Sequence, residues 1–183
     1  MATAKTGSFY LTETVMMTAA QANGTRNQGT IDLGAYINVA TGQAIAIDQV
    51  DFVVQRDGDY GGAVANFLAA SGAVSMQLTD LNPGTELVRA DNQSLIASGS
   101  ISIDEPNNVA THTSDIFPDN FGPNSLSESF MVVNDTLYLV CGNDKAAVGS
   151  ANLWVTARIR ARVVKLGKSD WMAIALQSTA ADN

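Results

Sequence analysis

Apolar and polar positions alternate without a break from Leu153 to Val163. Leu153, Val155, Ala157, Ile159, Ala161 and Val163 fall on one side; Trp154, Thr156, Arg158, Arg160 and Arg162 fall on the other. Period two sustained over that length predicts a strand with one buried face, long enough to be a central member of a sheet. Gly167 ends it, and Ser169-Asp170 reads as the N-cap and first turn of a short apolar helix over Asp170–Ser178. The same alternation governs Thr30–Val39, where Ile31, Leu33, Ala35, Ile37 and Val39 are expected inward. Ser8–Thr18 supplies a first strand and Ala44–Arg56 a long third one. The middle of the third breaks the alternation, which predicts a β-bulge or two covered faces near Asp48.

The intervening stretches carry turn chemistry. Gln21–Gly29 is a polar loop, and Thr41-Gly42 turns the chain into the third strand. Val64–Ala70 fits one or two helical turns or a loop packed on the sheets. Ala73–Leu81 is a fourth strand closed by Asn82-Pro83-Gly84, with Glu86–Arg89 as a short hairpin partner. Ser94–Asp104 alternates about Gly99; Glu128–Val133 and Thr136–Gly142 form strands separated by Asn134-Asp135. Glu105–Ser127 holds three of the four prolines and reads as the longest irregular piece. Loops longer than about 12–15 residues are usually functional or interfacial. Eight principal strands in one domain spanning residues 1–183 suit a two-sheet Greek-key sandwich, with the strands over 8–167 and a helix and tail over 168–183. Strand count alone fits a jelly roll or an immunoglobulin-like sandwich.

Composition narrows the function classes. Apolar residues make up 46% of the chain and charged ones 15%, below the roughly 25% typical of soluble domains. That balance suits a β protein hiding part of its exterior against copies of itself or partners. The net charge of −8, from 18 acids and 10 bases, speaks against a general polyanion binder and against direct nucleic-acid contact. Half of the bases are Arg158, Arg160, Arg162, Lys165 and Lys168. The one cysteine, Cys141, lies in the apolar run TLYLVCGN and reads as a buried thiol behaving as a small hydrophobe. The N-terminal segment has no apolar h-region and no run reaches a membrane span, so synthesis in a cytoplasm without secretion is expected.

Taken together, TIDLGAYINVATGQAIAIDQVDFVVQ (Thr30–Gln55), MVVNDTLYLVCGN (Met131–Asn143) and ANLWVTARIRARVVKLGKSDW (Ala151–Trp171) give the chain a resemblance to the single jelly-roll major capsid proteins of icosahedral viruses of archaea and bacteria. The likeness lies in strand spacing and texture over about two-thirds of the chain, with no signature motif. It implies an all-β, eight-stranded jelly roll of two four-stranded antiparallel sheets, the first, third, sixth and eighth strands sharing one of them. It implies copies of the chain as the principal partner, in pentamer or hexamer capsomers, with other virion proteins as further partners and the virion as location. In that arrangement the last strand lies beside the third, which brings Asp48 and Asp51 within reach of the arginines as an interstrand or intersubunit charge register. Basic N-terminal arms that contact packaged nucleic acid occur in capsid proteins of RNA viruses; Met1–Tyr10 here holds a single lysine.

No residue pattern points to chemistry. Asp57 and Asp59, in RDGDYG, have the Asp-x-Asp spacing of a calcium loop without the bidentate Glu, so an acidic turn is the expectation and no metal or cofactor is called for. Asp104, Glu105, Asp115 and Asp119 could gather a cation only if the long loop folds them together. His112 stands beside Ser114 and Asp115, but sequence neighbours rarely converge as a triad. A single histidine cannot supply a cupin-type ligand set. Three Asn-x-Ser/Thr sequons at Asn23, Asn92 and Asn134 read as chance in an unsecreted chain. Trp171, on the apolar helix, is an anchor for packing on its own sheets or on a neighbour. The sequence therefore points to a self-assembling structural protein, neither an enzyme nor a binder of small molecules. A carbohydrate-binding or spike-type β-sandwich is the rival, with Trp154, Tyr36, Tyr60 and Trp171 as its few aromatic candidates.

Overall fold

A computed structural model describes residues 2–59, 63–114 and 129–180. Among them the strands are β1 (Thr3–Ala4), β2 (Phe9–Met17), β3 (Arg26–Asp32), β4 (Gln43–Arg56), β5 (Gly72–Thr79), β6 (Leu95–Asp104), β7 (Val109–Ser114), β8 (Phe130–Val132), β9 (Thr136–Asp144) and β10 (Leu153–Lys165). A 3-10 turn spans Val64–Phe67, and helix α1 spans Lys168–Ala180.

The pairing is that of a long antiparallel hairpin rolled into two layers. β2 pairs with β10, β3 with β9, β4 with β8 and β5 with β6, so the first half of the chain runs beside the second in reverse. Rolling adds the contacts β10–β4 and β9–β5, which close two sheets in the orders β2-β10-β4-β8 and β3-β9-β5-β6. This is a jelly roll. Each sheet gains one further strand, β1 pairing with the end of β10 beyond β2 in the first and β7 adding to the β6 edge of the second, so each is five-stranded among the described residues where four were expected.

The main core lies between the layers. Every inward position of β10 from Leu153 to Val163 is 5% exposed or less, facing Leu137, Leu139 and Cys141 of β9 and Val74, Met76 and Leu78 of β5 within one cluster. A second, smaller core sits on the far side of the first sheet. There Trp171, Ile174 and Ala175 of α1, spaced i, i+3, i+4, cover Ala44, Ala46, Val164 and Leu166. Gly42 seats that end of the sheet: its φ is 70° and a Cβ there would meet the Leu166 carbonyl oxygen at 2.5 Å.

Several elements depart from the sequence pattern for identifiable reasons. The alternation through Thr30–Val39 is a strand only to Asp32, whose Oδ1 accepts the Gly34 N–H at 2.7 Å. Tyr36 and Ile37 then donate to the Leu33 carbonyl, so Leu33 is buried from a turn and Val39 is 63% exposed. β3 starts earlier, within the expected polar loop, because its edge ladder with β9 begins at Arg26↔Gly142. Glu86–Arg89 forms no strand; the Gln77 side chain satisfies both the Val88 N–H (2.7 Å) and C=O (2.9 Å) in place of a partner backbone. β7 occupies part of the expected irregular stretch, entered by a turn in which Asn108 donates to the Glu105 carbonyl at φ 54°. The rest of that stretch, with Pro118, Pro123, Asp115 and Asp119, lies outside the described residues. Helix α1 starts at Lys168, so Ser169 and Asp170 sit inside its first turn, and the Trp171 N–H bonds the Gly167 carbonyl.

The β2–β3 margin of the sandwich is closed by polar groups at inward positions. Asn27 donates to the Met16 carbonyl at 2.6 Å, and Glu13 falls between inward-facing Leu11 and Val15. Gly29 makes room for it, since a Cβ there would lie 2.5 Å from Glu13 Oε1. An inward-pointing charge at a sheet margin discourages edge-to-edge pairing. Burial raises the Glu13 pKa, and a hydrogen bond from the Thr30 backbone opposes the rise. Protonated Glu13 therefore favours the folded chain; that contribution is complete below the ordinary carboxylate range and is lost as pH rises through the raised value. Glu13→Gln is expected to melt slightly above the parent at pH 7, with the difference vanishing at pH 3; a lower melting temperature for the variant at pH 7 contradicts this account. In the core, Ile159→Ala should lower the unfolding free energy by about 2–5 kcal/mol in urea titrations, because Ile159 is 0% exposed.

Candidate assembly face

The outer side of the first sheet carries nearly all the residues singled out by the sequence. β10 and β4 pair along thirteen positions, with Arg158 opposite Asp51, Arg160 opposite Gln49 and Arg162 opposite Ala46. The register shifts between Arg160 and Ala161, which pair with Gln49 and Ile47; Asp48 is the extra residue of a β-bulge. The bulge has a packing cause. Ile45 and Ile47 before it and Val50, Phe52 and Val54 after it all belong to the main core, although they sit on opposite parities of the strand. One inserted residue is what returns the second set to the inner face.

That inserted residue is a carboxylate, and it is satisfied. Arg162 Nη2 lies 2.6 Å from Asp48 Oδ1, and the same oxygen accepts the Ser129 hydroxyl at 2.8 Å. The side chains are 1% (Asp48) and 16% (Arg162) exposed. Arg162 and Asp48 therefore form an internal lock across β10, β4 and the approach to β8. Trp171 likewise faces inward, with α1 packed on its own sheet.

The other two arginines behave differently. Arg158 is exposed, and its guanidinium carbon lies 5.2 Å from the centroid of the Tyr10 ring on β2, a cation–π geometry of about 0.5–1 kcal/mol at an exposed site. Asp51, across the ladder, instead receives the Gln49 amide at 3.0 and 3.1 Å. Arg160 is half-buried between Tyr10 and Gln49 in register.

The weaker candidates are accounted for by backbone. Asp57 has φ 48° and its carboxylate accepts the Asn152 N–H at 3.2 Å, while the Asp59 N–H bonds the Arg56 carbonyl, so this acidic pair builds the turn leaving β4. Among the described residues no three His, Cys, Asp or Glu side chains gather as metal ligands. Asp104 accepts the Asn107 amide at 2.7 Å within the β6–β7 turn. His112 is exposed on β7, three strand positions from Cys141 on β9 in the order β9-β5-β6-β7, a separation of roughly 14 Å. Cys141 is fully buried; burial pushes its thiol up to about 12, partly offset by the Arg26 charge. A thiol held protonated in this way is a poor nucleophile.

Some partners had no sequence signal. Tyr10 and Ser129 are ordinary residues until the ladder and the bulge place them beside Arg158 and Asp48. Arg26 bonds Asp144 at 2.5 Å, and buried Asn143 donates to the Ala146 carbonyl at 2.7 Å while accepting from Gln21 at 3.1 Å. Apart from the local Asn143–Ala146 bond, these contacts join residues 81 or more positions apart, and no local pattern encodes them.

Removing one partner of a buried ion pair leaves the other charge uncompensated, at a cost of about 3–5 kcal/mol. Asp48→Ala is expected to lose that much stability by chemical denaturation, and Asp48→Ala combined with Arg162→Met to recover a substantial part of it. Additive losses in the double variant would show that the pair is not coupled.

No protein-family model matches the chain, and no curated protein matches it in sequence. Solved structures similar to it include Merkel cell polyomavirus VP1 in complex with GD1a oligosaccharide, at 11% identity and TM-score 0.39, covering 89% of this chain and 98% of that one. They also include VP1 of trichodysplasia spinulosa-associated polyomavirus in complex with sialylated glycooligomers, at 9% identity and TM-score 0.39, with 89% and 98% covered. A third is the unassembled pentamer of Merkel cell polyomavirus VP1, at 11% identity and TM-score 0.37, with 85% and 96% covered. The strand pairing itself defines the jelly roll of the present chain.

Proposed function

We propose that this chain is a structural virion protein, a subunit that assembles with copies of itself into pentameric or hexameric capsomers of an icosahedral shell. Its work is the burial of surface between copies, with no reaction and no cofactor. It is made in the host cytoplasm and resides in the virion, where other virion proteins are further partners.

The observation that supports this best is the unguarded margin of the second sheet. β7 pairs with β6 on one side, and Val109, Ala110, Thr111 and His112 are all exposed, Val109 at 47%. The strand VATHTS contains no lysine, proline or acid, and among the described residues no other strand pairs with it. Chains that stay solitary blunt such edges with charge, proline, bulges or cover; one rich in β-forming residues and free of charge suits association. Shells also tolerate contacts that are individually weak, since many act together.

Light scattering and negative-stain microscopy of the purified chain test the proposal. Rings, shells or other regular multimers growing with concentration are expected. A monomer at high concentration overturns it, and a monomer that binds glycans would favour the carbohydrate-binding module instead.

A further inference from the structure

The structure divides the arginine ladder into an internal part and an outward part, and the outward part has the composition of an interface. Arg162 is consumed by Asp48, and α1 covers the sheet rows around Val164 and Ala46. Beyond the helix, the outer side of β2, β10 and β4 continues uncovered by any described element for four rows. The row of Arg160 holds Tyr10 and Gln49, and the next holds Arg158, Thr12 and Asp51. The row after that holds Thr156 with Thr14 and Val53, and the last Trp154 with Met16 and Gln55. Tyrosine, tryptophan, methionine and arginine are the residue types enriched where proteins meet, and lysine and acids the types depleted there. This surface has one acid, Asp51, and no lysine.

We infer that this face is a docking surface for a second copy of the same chain, and that the copy presents an acidic surface to it. The inference rests on the assembly reading above and deepens it. Charge complementarity carries the choice of partner. The chain has 18 acids and 10 bases, and five of the bases lie between Arg158 and Lys168; the remainder of the molecule is therefore strongly acidic. The other sheet illustrates this. Its one strand arginine, Arg26, is bound to Asp144, and Asp32 and Asp104 end two of its strands. A two-fold contact would set this patch against its own copy, two exposed or half-buried arginines on each side with Asp51 as the one acid to meet them. A head-to-tail contact sets them against acids, and repeated head-to-tail contacts close rings when the rotation between neighbours closes. Tyr10, 56% exposed with Arg158 across its ring, would be the central anchor of the contact.

The experiment compares the full chain with Arg158→Glu and, separately, with Thr12→Glu, measuring mass by light scattering across concentration at low and high salt, with circular dichroism as the fold check. Both positions are exposed, and Thr12→Glu removes no arginine contact, so a folding defect in one variant leaves the other informative. The parent is expected to assemble at low salt and to need at least tenfold more protein at 1 M salt; each folded variant should need at least tenfold more protein at low salt. A parent that assembles while both folded variants assemble equally well overturns this inference and leaves the assembly reading standing. Assembly of the parent that is indifferent to salt also overturns it. A parent that stays monomeric at every concentration overturns the assembly reading itself.

Discussion

The long pairing of β10 with β4 carries the whole fold, and its condition is that both strands keep one face apolar from end to end. β10 meets that condition by strict alternation, whereas β4 meets it only because one residue is looped out at Asp48. A strand of fourteen residues with a parity error would turn either Ile45 and Ile47 or Val50, Phe52 and Val54 to the wrong side. The bulge corrects the error but puts an aspartate where no water reaches, and the aspartate in turn requires Arg162 and Ser129. The charge in the middle of the sheet is thus a consequence of the strand register, with the ion pair as its compensation.

This ordering separates two roles for one run of basic residues. Helix α1 seals the end of the sheet where Arg162 is neutralised internally and small side chains, Ala44 and Ala46, let the helix approach closely. Past the helix the same strand presents Arg158, and Arg160 in part, to solvent beside Tyr10. The two ends of the ladder differ by what covers them, because the alternation of β10 is identical at both. The margins of the sandwich differ in the same way: Glu13 and Asn27 guard the β2–β3 side, and on the opposite margin of the second sheet no described strand pairs with the outer side of β7.

The class of fold was legible because period-two alternation is a local property: β2, β4, β5, β6, β9 and β10 all fall within a few residues of where the pattern places them. The bulge near Asp48 was legible for the same reason, as a lapse in that period. The pattern misled where a local hydrogen bond overrode it. Asp32 captures the Gly34 N–H and ends β3 while the apolar alternation runs on to Val39. Gln77 takes the Val88 backbone that would otherwise have made a strand.

By itself, then, the sequence determined most of the strands and their inward faces, the irregular point in β4 and the concentration of positive charge near the C-terminal end, since each depends on residues close together along the chain. Only the tertiary structure decided which arginine is buried against Asp48, which lies over Tyr10, that Trp171 faces its own sheet, and that β7 is the last of the described strands in its sheet. Those outcomes depend on partners brought together from distant parts of the chain, and a period of two along one strand says which face a side chain occupies without saying what will cover it.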